Sequence, residues 1–373
     1  MSKTTNRIIT ALFSVFIGGF FVLNLLLPDK TFSEKENRQL QTLPKFSFSS
    51  LFSGSFATRF ESYCSDQFAG RDIWIETKAG AELAQGKQQN NGVFLCVGDR
   101  LLEPFTAPET DTLTRAVQAA DSLSDAGVPV SLAIIPTAAQ LYADILPEGA
   151  ENDDQKSVID GAYSQTALET VDISSVLAAH AGEYIFYRTD HHWTSEGAYL
   201  AYEQFAGSKG LPLFDRSDAD EKKVENFYGT SYSKARNYDV VPDTITYYDL
   251  PNQLTVYTAN ADGSESGETG PLYNTADFET RDKYKAFLRG NNGYSVLEGN
   301  GTGSILIIKD SYANAFIPYL VEDYASIGIV DFRYLNEKVD SLIERGGYDE
   351  ILVLFSFQGF MDDMTLAAKI ATP

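Results

Sequence analysis

The chain has 373 residues, of which 43% are hydrophobic, including 24 Phe and 21 Tyr. This is enough apolar material for one large or two modest domains with a buried core. The formal net charge of −23 argues against binding to nucleic acid, whose phosphates require a basic surface. The same charge opposes electrostatic docking on an anionic membrane surface.

The N-terminal region contains an unbroken, mostly apolar stretch from Ile8 to Leu27. About 20 such residues are needed to span a hydrocarbon core, and the preceding Lys3 and Arg7 predict that the N-terminus stays in the cytoplasm. A cleaved signal peptide is the alternative, although the residues after Leu27 lack the small-residue pattern of a cleavage site. We therefore predict a single-pass protein of the cell membrane, with a cytoplasmic tip and anchor over residues 1–28 and an extracellular C-terminal portion.

The exterior portion is predicted to begin with a stalk and to continue as one domain. Residues 29–55 are largely polar and form the predicted stalk, and residues 56–373 form the domain. Within the domain, the segment at about 218–300 is rich in Tyr, Asn, Asp and Gly, and we interpret it as a loop-rich insertion. Residues 261–268 are predicted to be an exposed acidic loop of that insertion.

The chain has two cysteines, Cys64 and Cys96. Outside the cell an even number of cysteines permits one disulfide. Two free, buried thiols are the alternative, because unpaired cysteine often acts as a small apolar core residue. The two residues form neither a zinc-binding pattern nor a CxxC motif, so the sequence leaves both possibilities open.

Helical and strand-like segments alternate after a hairpin predicted at residues 91–102. Apolar residues at helical spacing over 113–123 are followed by several short apolar runs. Five of these runs are predicted to be buried strands, namely Val128–Ile135, Glu183–Tyr187, Ser304–Ile308, Ile327–Phe332 and Ile351–Phe355. Helical segments separate them, which is typical of a parallel sheet covered on both faces. The predicted fold is therefore a three-layer α/β domain with a mostly parallel sheet.

Two strand ends carry residues that are able to do chemistry. His191 and His192, two of only three histidines, follow Asp190 at the end of a predicted strand. Alternate side chains of an extended segment share a face, so Asp190 and His192 should point together and His191 away. Ser311 follows another predicted strand where a helix should begin, and its backbone N–H is a candidate oxyanion donor. Since the carboxyl ends of parallel strands meet at one edge of a sheet, the parts of an acyl-transfer triad should come together there.

The same residues allow other interpretations. His192 is explained equally well as a structural histidine held by its neighbouring acid, and Ser311 as a simple helix cap. A divalent metal site would use Asp190 and His192 with Asp310 as a third ligand, although adjacent histidines rarely bind one ion from a strand. A catalytically silent domain that binds polysaccharide or an envelope partner through the Tyr-rich insertion is a further alternative. We expect no cofactor.

Two motifs resemble a known family. The segment Arg-Thr-Asp-His-His-Trp-Thr, residues 188–194, resembles the signature of the DHHW family. That family is similar to the SGNH-hydrolase-like domain of alginate O-acetyltransferases of the bacterial cell envelope. Lys-Asp-Ser-Tyr, residues 309–312, is the second specific segment, and it has Lys309 where ordinary SGNH enzymes have glycine. The supporting segments are Glu36–Arg38, Asp66–Arg71, Asn91–Val93 and Ile135–Thr137.

The resemblance implies a circularly permuted SGNH fold in which Asp190, His192 and Ser311 form the catalytic triad. Further candidates for substrate binding or for the oxyanion hole are His191, Tyr312, Asn291 and Asn292. The implied activity is acyl-ester chemistry on an extracellular polysaccharide, either O-acetyl transfer or ester hydrolysis. The resemblance further implies a membrane acyltransferase partner that supplies the acetyl group. We expect no metal.

Overall fold

The computed structural model describes residues 2–107, 111–217, 219–236, 239–259, 265–335 and 338–362. The chain divides into two compact units. The first unit consists of Met1–Asn90 with Arg236–Asp239, and the second consists of Asn91–Ala235 with Val240–Pro373.

The first unit begins with a long helix, α1, at Lys3–Leu26. Its length and apolar composition are sufficient to cross a membrane, and the prediction of an apolar N-terminal helix is confirmed. Ser2 caps this helix by accepting a hydrogen bond from the backbone N–H of Thr5. The other elements of this unit are helices α2 (Phe48–Phe52), α3 (Ser55–Asp66) and α4 (Arg71–Ala84), and strands β1 (Phe32–Ser33), β2 (Arg38–Gln39) and β3 (Gln89–Asn90).

An ion-pair network holds the first unit together. The side chain of Glu36 is 5% exposed and contacts the guanidinium groups of Arg71, Arg38 and Arg236 at 2.5, 2.8 and 2.7 Å. Arg38 also donates two hydrogen bonds to Asp66. Burial raises the pKa of Glu36, but the hydrogen bond and charge of Arg71 and the other two arginines outweigh it and lower that pKa. Two of the supporting motif segments thus have a structural role in this unit.

The second unit contains most of the regular structure. Its helices are α5 (Asp111–Ser122), α6 (Ala138–Leu141), α7 (Gln155–Gln165), α8 (Ile173–Ala179), α9 (Ser195–Lys209), α10 (Thr230–Ala235), α11 (Val339–Gly346) and α12 (Phe357–Asp362). Its strands are β4 (Val93–Cys96), β5 (Arg100–Leu102), β6 (Val130–Ile135), β7 (Glu169–Thr170), β8 (Asp220–Phe227), β9 (Asp243–Asp249), β10 (Gln253–Ala259), β11 (Glu265–Pro271), β12 (Tyr294–Glu298), β13 (Ser304–Lys309), β14 (Ser326–Val330) and β15 (Glu350–Ser356).

The main sheet has eight strands in the order β11-β10-β12-β14-β13-β15-β6-β7. The five strands from β14 to β7 are parallel, and β12, β10 and β11 extend the sheet in antiparallel pairing. Strands β4 and β5 form the predicted hairpin, and β8 pairs with β9. The prediction of an α/β fold with a mostly parallel sheet is confirmed.

The sheet is buried on both faces. In β13, Ile305 and Ile307 belong to one apolar cluster, whereas Leu306 and Ile308 belong to another. The first cluster includes side chains from α8 and α9, and the second includes side chains from α5, α7 and α11. Because a parallel sheet is stable only when helices cover both faces, this alternation produces the three layers. It places β13, which ends just before Ser311, in the middle of the core.

The prediction of a strand at 183–187 is wrong. The chain makes a tight turn there, in which Phe186 and Trp193 form an isolated antiparallel bridge and Tyr187 N–H donates to His192 O at 3.2 Å. The apolar run is buried as a strand would be, so its composition alone did not distinguish the two structures. The fifth parallel strand is the two-residue edge strand β7.

The local structure differs from the sequence-based prediction in several other segments. The segment interpreted as an insertion, 218–300, contains β10, β11 and β12, which pair at the edge of the main sheet. Residues 260–264 lie outside the described residues, so the predicted acidic loop falls partly there, and its remainder belongs to β11. Two short 3₁₀ helices, Ser311–Ala315 and Ile317–Glu322, replace the helix predicted after Ser311. Cys64 is exposed, Cys96 is buried, and both are free thiols.

Candidate active site

The structure brings Asp190, His192 and Ser311 into one hydrogen-bonded chain. His192 Nε2 lies 2.8 Å from Ser311 Oγ, and His192 Nδ1 lies 2.5 Å from Asp190 Oδ1. Asp190 and His192 are buried. The two motifs predicted to supply these residues therefore meet, although they are far apart in the sequence.

The position of Ser311 is set by Asp310 and the end of β15. Asp310 Oδ1 accepts a hydrogen bond from Tyr312 N–H at 3.0 Å. Its Oδ2 accepts from Ser356 N–H at 2.9 Å and from Ser356 Oγ at 2.6 Å. Burial raises the pKa of Asp310, although these hydrogen bonds oppose the shift. A Cβ at Gly359 would overlap the Asp310 carboxylate, which explains why the α12 segment carries a glycine there.

Lys309, the residue that departs from the ordinary SGNH pattern, is buried under the serine turn. Its Nζ donates to Asn314 Oδ1 at 2.8 Å and to Asn291 Oδ1 at 3.1 Å, and it lies 3.4 Å from Asp331 Oδ2. Burial lowers the pKa of Lys309, while the charge of Asp331 acts in the opposite direction. Asp331 also accepts three hydrogen bonds from Arg333, one from its backbone N–H and two from its guanidinium group, so Lys309 contributes to a satisfied polar network.

Asp190 is fixed by the loop that leads into α10. Its Oδ2 accepts hydrogen bonds from Thr230 N–H at 2.7 Å and Thr230 Oγ1 at 3.1 Å, and its Oδ1 also accepts from His192 N–H at 2.9 Å. A Cβ at Gly229 would overlap the Asp190 side chain, so only glycine allows this approach. Burial raises the pKa of Asp190, but His192, His191 and the hydrogen bonds outweigh it, and the pKa lies well below its usual range.

Asp243, which the sequence did not single out, holds the backbone immediately before Asp190. It is fully buried and accepts hydrogen bonds from Arg188 N–H at 3.0 Å, from Thr189 N–H at 2.7 Å and from Thr189 Oγ1 at 2.6 Å. Tyr184 OH donates to the same carboxylate. The backbone of Arg188 and Thr189 and the Thr189 hydroxyl therefore help to fix the turn through Asp243.

Tyr284 contacts both His192 and Ser311. The sequence analysis did not identify it as a site residue. Its ring stacks on the imidazole with centroids 3.9 Å apart and an angle of 12° between the planes. Its hydroxyl donates to the backbone carbonyl of Ser311 at 3.2 Å. Tyr312, a predicted site residue, joins the two motifs, because its hydroxyl donates to His191 O and its carbonyl accepts from Trp193 Nε1.

The electrostatic setting keeps His192 neutral at neutral pH. Burial lowers the pKa of His192 and the nearby His191 acts in the same direction, while the Asp190 carboxylate opposes both. A neutral imidazole whose Nδ1 donates to Asp190 has Nε2 free to accept a proton. Ser311 Oγ lies within hydrogen-bonding distance of that nitrogen, so His192 is positioned to accept the proton of the serine hydroxyl.

Ser311 opens onto a cleft of about 510 Å³. His191 lines this cleft, with its Nδ1 2.5 Å from Thr230 Oγ1 and its ring centroid 3.8 Å from that of His192. The prediction that His191 points away from His192 is wrong, because a tight turn does not alternate side chains as a strand does. The cleft is lined by Glu103, His191, Thr230, Lys234, Asp310, Ser311, Tyr312, Arg333, Ser356, Gln358 and Gly359.

Asn291 and Asn292, the predicted oxyanion candidates, are not brought to this cleft. Asn291 Oδ1 accepts hydrogen bonds from Lys309 and from Asn314 Nδ2 at 3.1 Å each. Asn292 Nδ2 donates to the backbone carbonyls of Leu288 and Gly290 at 3.1 and 3.3 Å. The structure therefore gives both residues roles in holding neighbouring loops.

The alternative of a metal site can be tested on its donor atoms. Ligand atoms of Asp190, His191 and His192 lie within 4.8 Å of one another. However, both ring nitrogens of His192 already have partners, and each oxygen of Asp190 accepts two hydrogen bonds. Asp310, the third predicted ligand, is held by Tyr312 and Ser356. An ion would have to displace this entire network, so these residues do not fit a metal site.

The fold and its strand-end serine define an α/β protein with an SGNH-hydrolase-like fold. The sequence profile described as "DHHW protein" matches residues 105–330, which is more than half of the chain. The protein belongs to the DHHW family.

The chain is similar to several solved structures. A DHHW family protein from Eubacterium siraeum is 26% identical, with a TM-score of 0.64, and the match covers 75% of this chain and 96% of that one. Bacillus cereus PatB1 with a sulfonyl adduct is 17% identical, with a TM-score of 0.58 and coverage of 71% and 94%. The O-acetyltransferase domain of Pseudomonas putida AlgJ is 16% identical, with a TM-score of 0.45 and coverage of 75% and 98%. No curated protein matches the chain significantly.

Proposed function

We propose that this protein is an acyl-ester enzyme of the cell envelope, with Ser311 as nucleophile, His192 as general base and Asp190 as the residue that orients His192. The observation that carries the proposal is the chain from Asp190 Oδ1 through the imidazole to Ser311 Oγ, with donor–acceptor distances of 2.5 and 2.8 Å. These are the distances and roles of an acyl-transfer triad.

The reaction has two halves. Ser311 Oγ attacks the acyl carbonyl while His192 Nε2 takes the hydroxyl proton, and Asp190 stabilises the resulting imidazolium. The tetrahedral intermediate collapses when the bond to the leaving group breaks and His192 returns the proton to it. An incoming hydroxyl then gives its proton to His192 Nε2 and attacks the carbonyl of the acyl-serine. The bond to Ser311 Oγ breaks, and His192 returns the proton to that oxygen.

The proposed acceptor and the proposed donor of the acetyl group are based on the motif resemblance to alginate O-acetyltransferases. We propose that a hydroxyl of an extracellular polysaccharide accepts an acetyl group, with water as the acceptor in ester hydrolysis. A membrane acyltransferase would supply the acetyl group. The cleft supports a polar substrate, because charged and hydroxyl groups such as Arg333, Lys234 and Thr230 line it.

The test is turnover of p-nitrophenyl acetate by the full-length chain, with and without an oligosaccharide acceptor. Ser311→Ala, His192→Ala and Asp190→Asn should each reduce turnover by roughly 10³-fold or more without lowering the melting temperature severely. The double variant of Ser311 and His192 should be little worse than either single one, since triad residues act as a unit. His191→Ala is the matched control and should lose much less.

A covalent probe separates the enzyme from a silent binding domain. A fluorophosphonate should add one label to the wild-type chain and none to Ser311→Ala, as measured by intact mass. Full turnover in Ser311→Ala would refute the serine mechanism. A greater loss in His191→Ala than in His192→Ala would refute the assignment of the base. Acetylated oligosaccharide in the product mixture would indicate transfer, and acetate alone would indicate hydrolysis.

A further inference from the structure

The second half of α1 packs against residues of its own unit. The Phe20 ring stacks on the Phe68 ring, with centroids 5.4 Å apart and 4° between the planes, and lies 5.8 Å from the Trp74 ring. Asn24 Oδ1 accepts a hydrogen bond from Ala69 N–H at 2.8 Å. These contacts join α1 to the start of α4 and to the turn that precedes it.

The position of Phe20 in the helix sets the depth of these contacts. Phe20 lies two turns before Leu27, which is about 10 Å along the helix axis. If α1 spans a bilayer, Phe20 is therefore below the level of the headgroups. Phe68 and Trp74 touch Phe20, so they must lie at the boundary between headgroups and hydrocarbon. Aromatic side chains are enriched at that boundary.

Exposed apolar side chains are concentrated in this part of the chain. Among the described residues, large apolar side chains exposed in 27–90 are Leu27, Leu43, Phe46, Phe48, Leu51, Phe52, Phe60, Phe68, Ile73 and Trp74. The much longer second unit has Val97, Tyr184, Leu213, Val241 and Tyr334. Soluble surfaces rarely expose such a concentration unless a partner or a lipid phase covers it.

We propose that Phe68, Ile73 and Trp74 form a juxtamembrane patch that inserts into the lipid interface beside α1. The bilayer is the occupant because the patch is continuous with the helix: its two aromatic rings contact Phe20 directly. The Lys30 ammonium, which is mostly exposed, lies 3.9 Å from the carboxylate of Asp72, the residue before Ile73, so a charged pair adjoins the apolar side chains. This inference depends on α1 crossing the membrane and is independent of the enzyme activity.

The two tryptophans of the chain make the patch directly measurable. Trp74 is 46% exposed, whereas Trp193 is completely buried. The full-length chain would be reconstituted into phosphatidylcholine vesicles whose acyl chains carry bromine at carbons 6 and 7 or at carbons 11 and 12. Bromine quenches tryptophan only at short range, so the pair of lipids reports depth. Trp74→Phe is the matched control, because it keeps an aromatic ring against Phe20 and leaves Trp193 as the only emitter.

The proposal predicts that the Trp74 emission, taken as wild type minus Trp74→Phe, is blue-shifted and quenched by brominated lipid. Quenching should be stronger for bromine at carbons 6 and 7, and the emission of Trp74→Phe should stay unchanged. Aqueous iodide should have little effect on Trp74. Strong iodide quenching of Trp74 without lipid quenching would overturn the proposal, because the patch would then face water or a protein partner. Stronger quenching at carbons 11 and 12 would overturn the interfacial position.

Discussion

At the scale of single residues, the ring of His192 is held by contacts on its edge and on its face. Asp190 and Ser311 occupy the two ring nitrogens, and Tyr284 covers one face at a centroid distance of 3.9 Å. Because burial is the main cause of the low pKa of His192, the ring of Tyr284 has an electrostatic effect in addition to its packing. It excludes water from the imidazole and fixes the angle at which Nε2 faces Ser311.

Replacing Tyr284 should therefore change both turnover and its pH dependence. In the wild-type chain, turnover should fall as pH decreases through the pKa of His192, with a midpoint below the ordinary value of about 6.5. Tyr284→Leu should lower turnover ~10–100-fold and move this midpoint upward, since water then reaches the imidazole and favours its charged form. Tyr284→Phe keeps the stack and should change the midpoint little. The measurement is kcat/KM against pH for the three chains, and an unchanged midpoint in Tyr284→Leu would contradict the electrostatic role.

Sequence reasoning found some of these residues and missed others for a physical reason. Asp190, His192 and Ser311 lie in short motifs beside apolar runs, so local patterns were enough to predict them. Tyr284 and Asp243 reach the site from a segment with no regular periodicity, and only the tertiary fold brings them there. The roles of Asn291 and Asn292 likewise depend on which neighbours bury them, which local sequence does not encode.

At the scale of elements, α9 is joined to the 3₁₀ helix Ile317–Glu322 through a buried acid. Tyr202 of α9 donates from its hydroxyl to Asp323 Oδ2 at 2.9 Å. Asp323 Oδ1 has no hydrogen-bond partner among the described residues, and burial raises the pKa of Asp323 to about 6, with the Tyr202 hydrogen bond opposing the shift. A carboxyl that resists ionisation in the folded state makes stability dependent on pH.

The sign of that dependence can be predicted. Below pH ~4 Asp323 is protonated in both the folded and the unfolded chain and carries no ionisation penalty. Between pH ~4 and about 6 the unfolded chain has released this proton while the folded chain retains it, so stability falls over that range and stays lower above it. Asp323→Asn should therefore be more stable than the wild type at pH 7 by roughly 1–3 kcal/mol, and the difference should shrink toward pH 4. Urea unfolding of both chains at pH 7 and pH 4 measures this difference in the free energy of unfolding. An equal difference at the two pH values would contradict the proposed role of Asp323.

The elements themselves were predictable where burial produces a simple pattern. Strands β6, β13, β14 and β15 are continuous apolar runs because they are covered on both faces, and their predicted positions were correct to within a few residues. The run at 183–187 is equally buried but belongs to a turn. Strands β10 to β12 were not placed individually, because their mixed polar and apolar residues lack the continuous apolar signal of a strand that is covered on both faces.

At the scale of the whole molecule, the side of the membrane on which the residues after Leu27 lie determines which substrates have access to the cleft. Lys3 and Arg7 lie at the N-terminal end of α1, and positive residues favour the cytoplasmic side. The proposed topology therefore has the N-terminal tip inside the cell and all residues after Leu27 outside. The formal net charge of −23 opposes electrostatic attraction to anionic lipid, so contact of the exterior portion with the bilayer would depend on apolar side chains.

Cysteine labelling tests this topology with residues that the chain already has. Cys64 is exposed and Cys96 is buried, so a membrane-impermeant maleimide applied to intact cells should label Cys64 alone, and Cys64→Ser should remove the label. Adding Ser2→Cys to the Cys64→Ser chain places a thiol on the cytoplasmic tip, which should react only after lysis. Labelling of Cys64 only after lysis would show that the domain is inside. Loss of the Ser2→Cys label from the mature chain even after lysis would show instead that α1 is a cleaved signal, because an uncleaved anchor retains that residue.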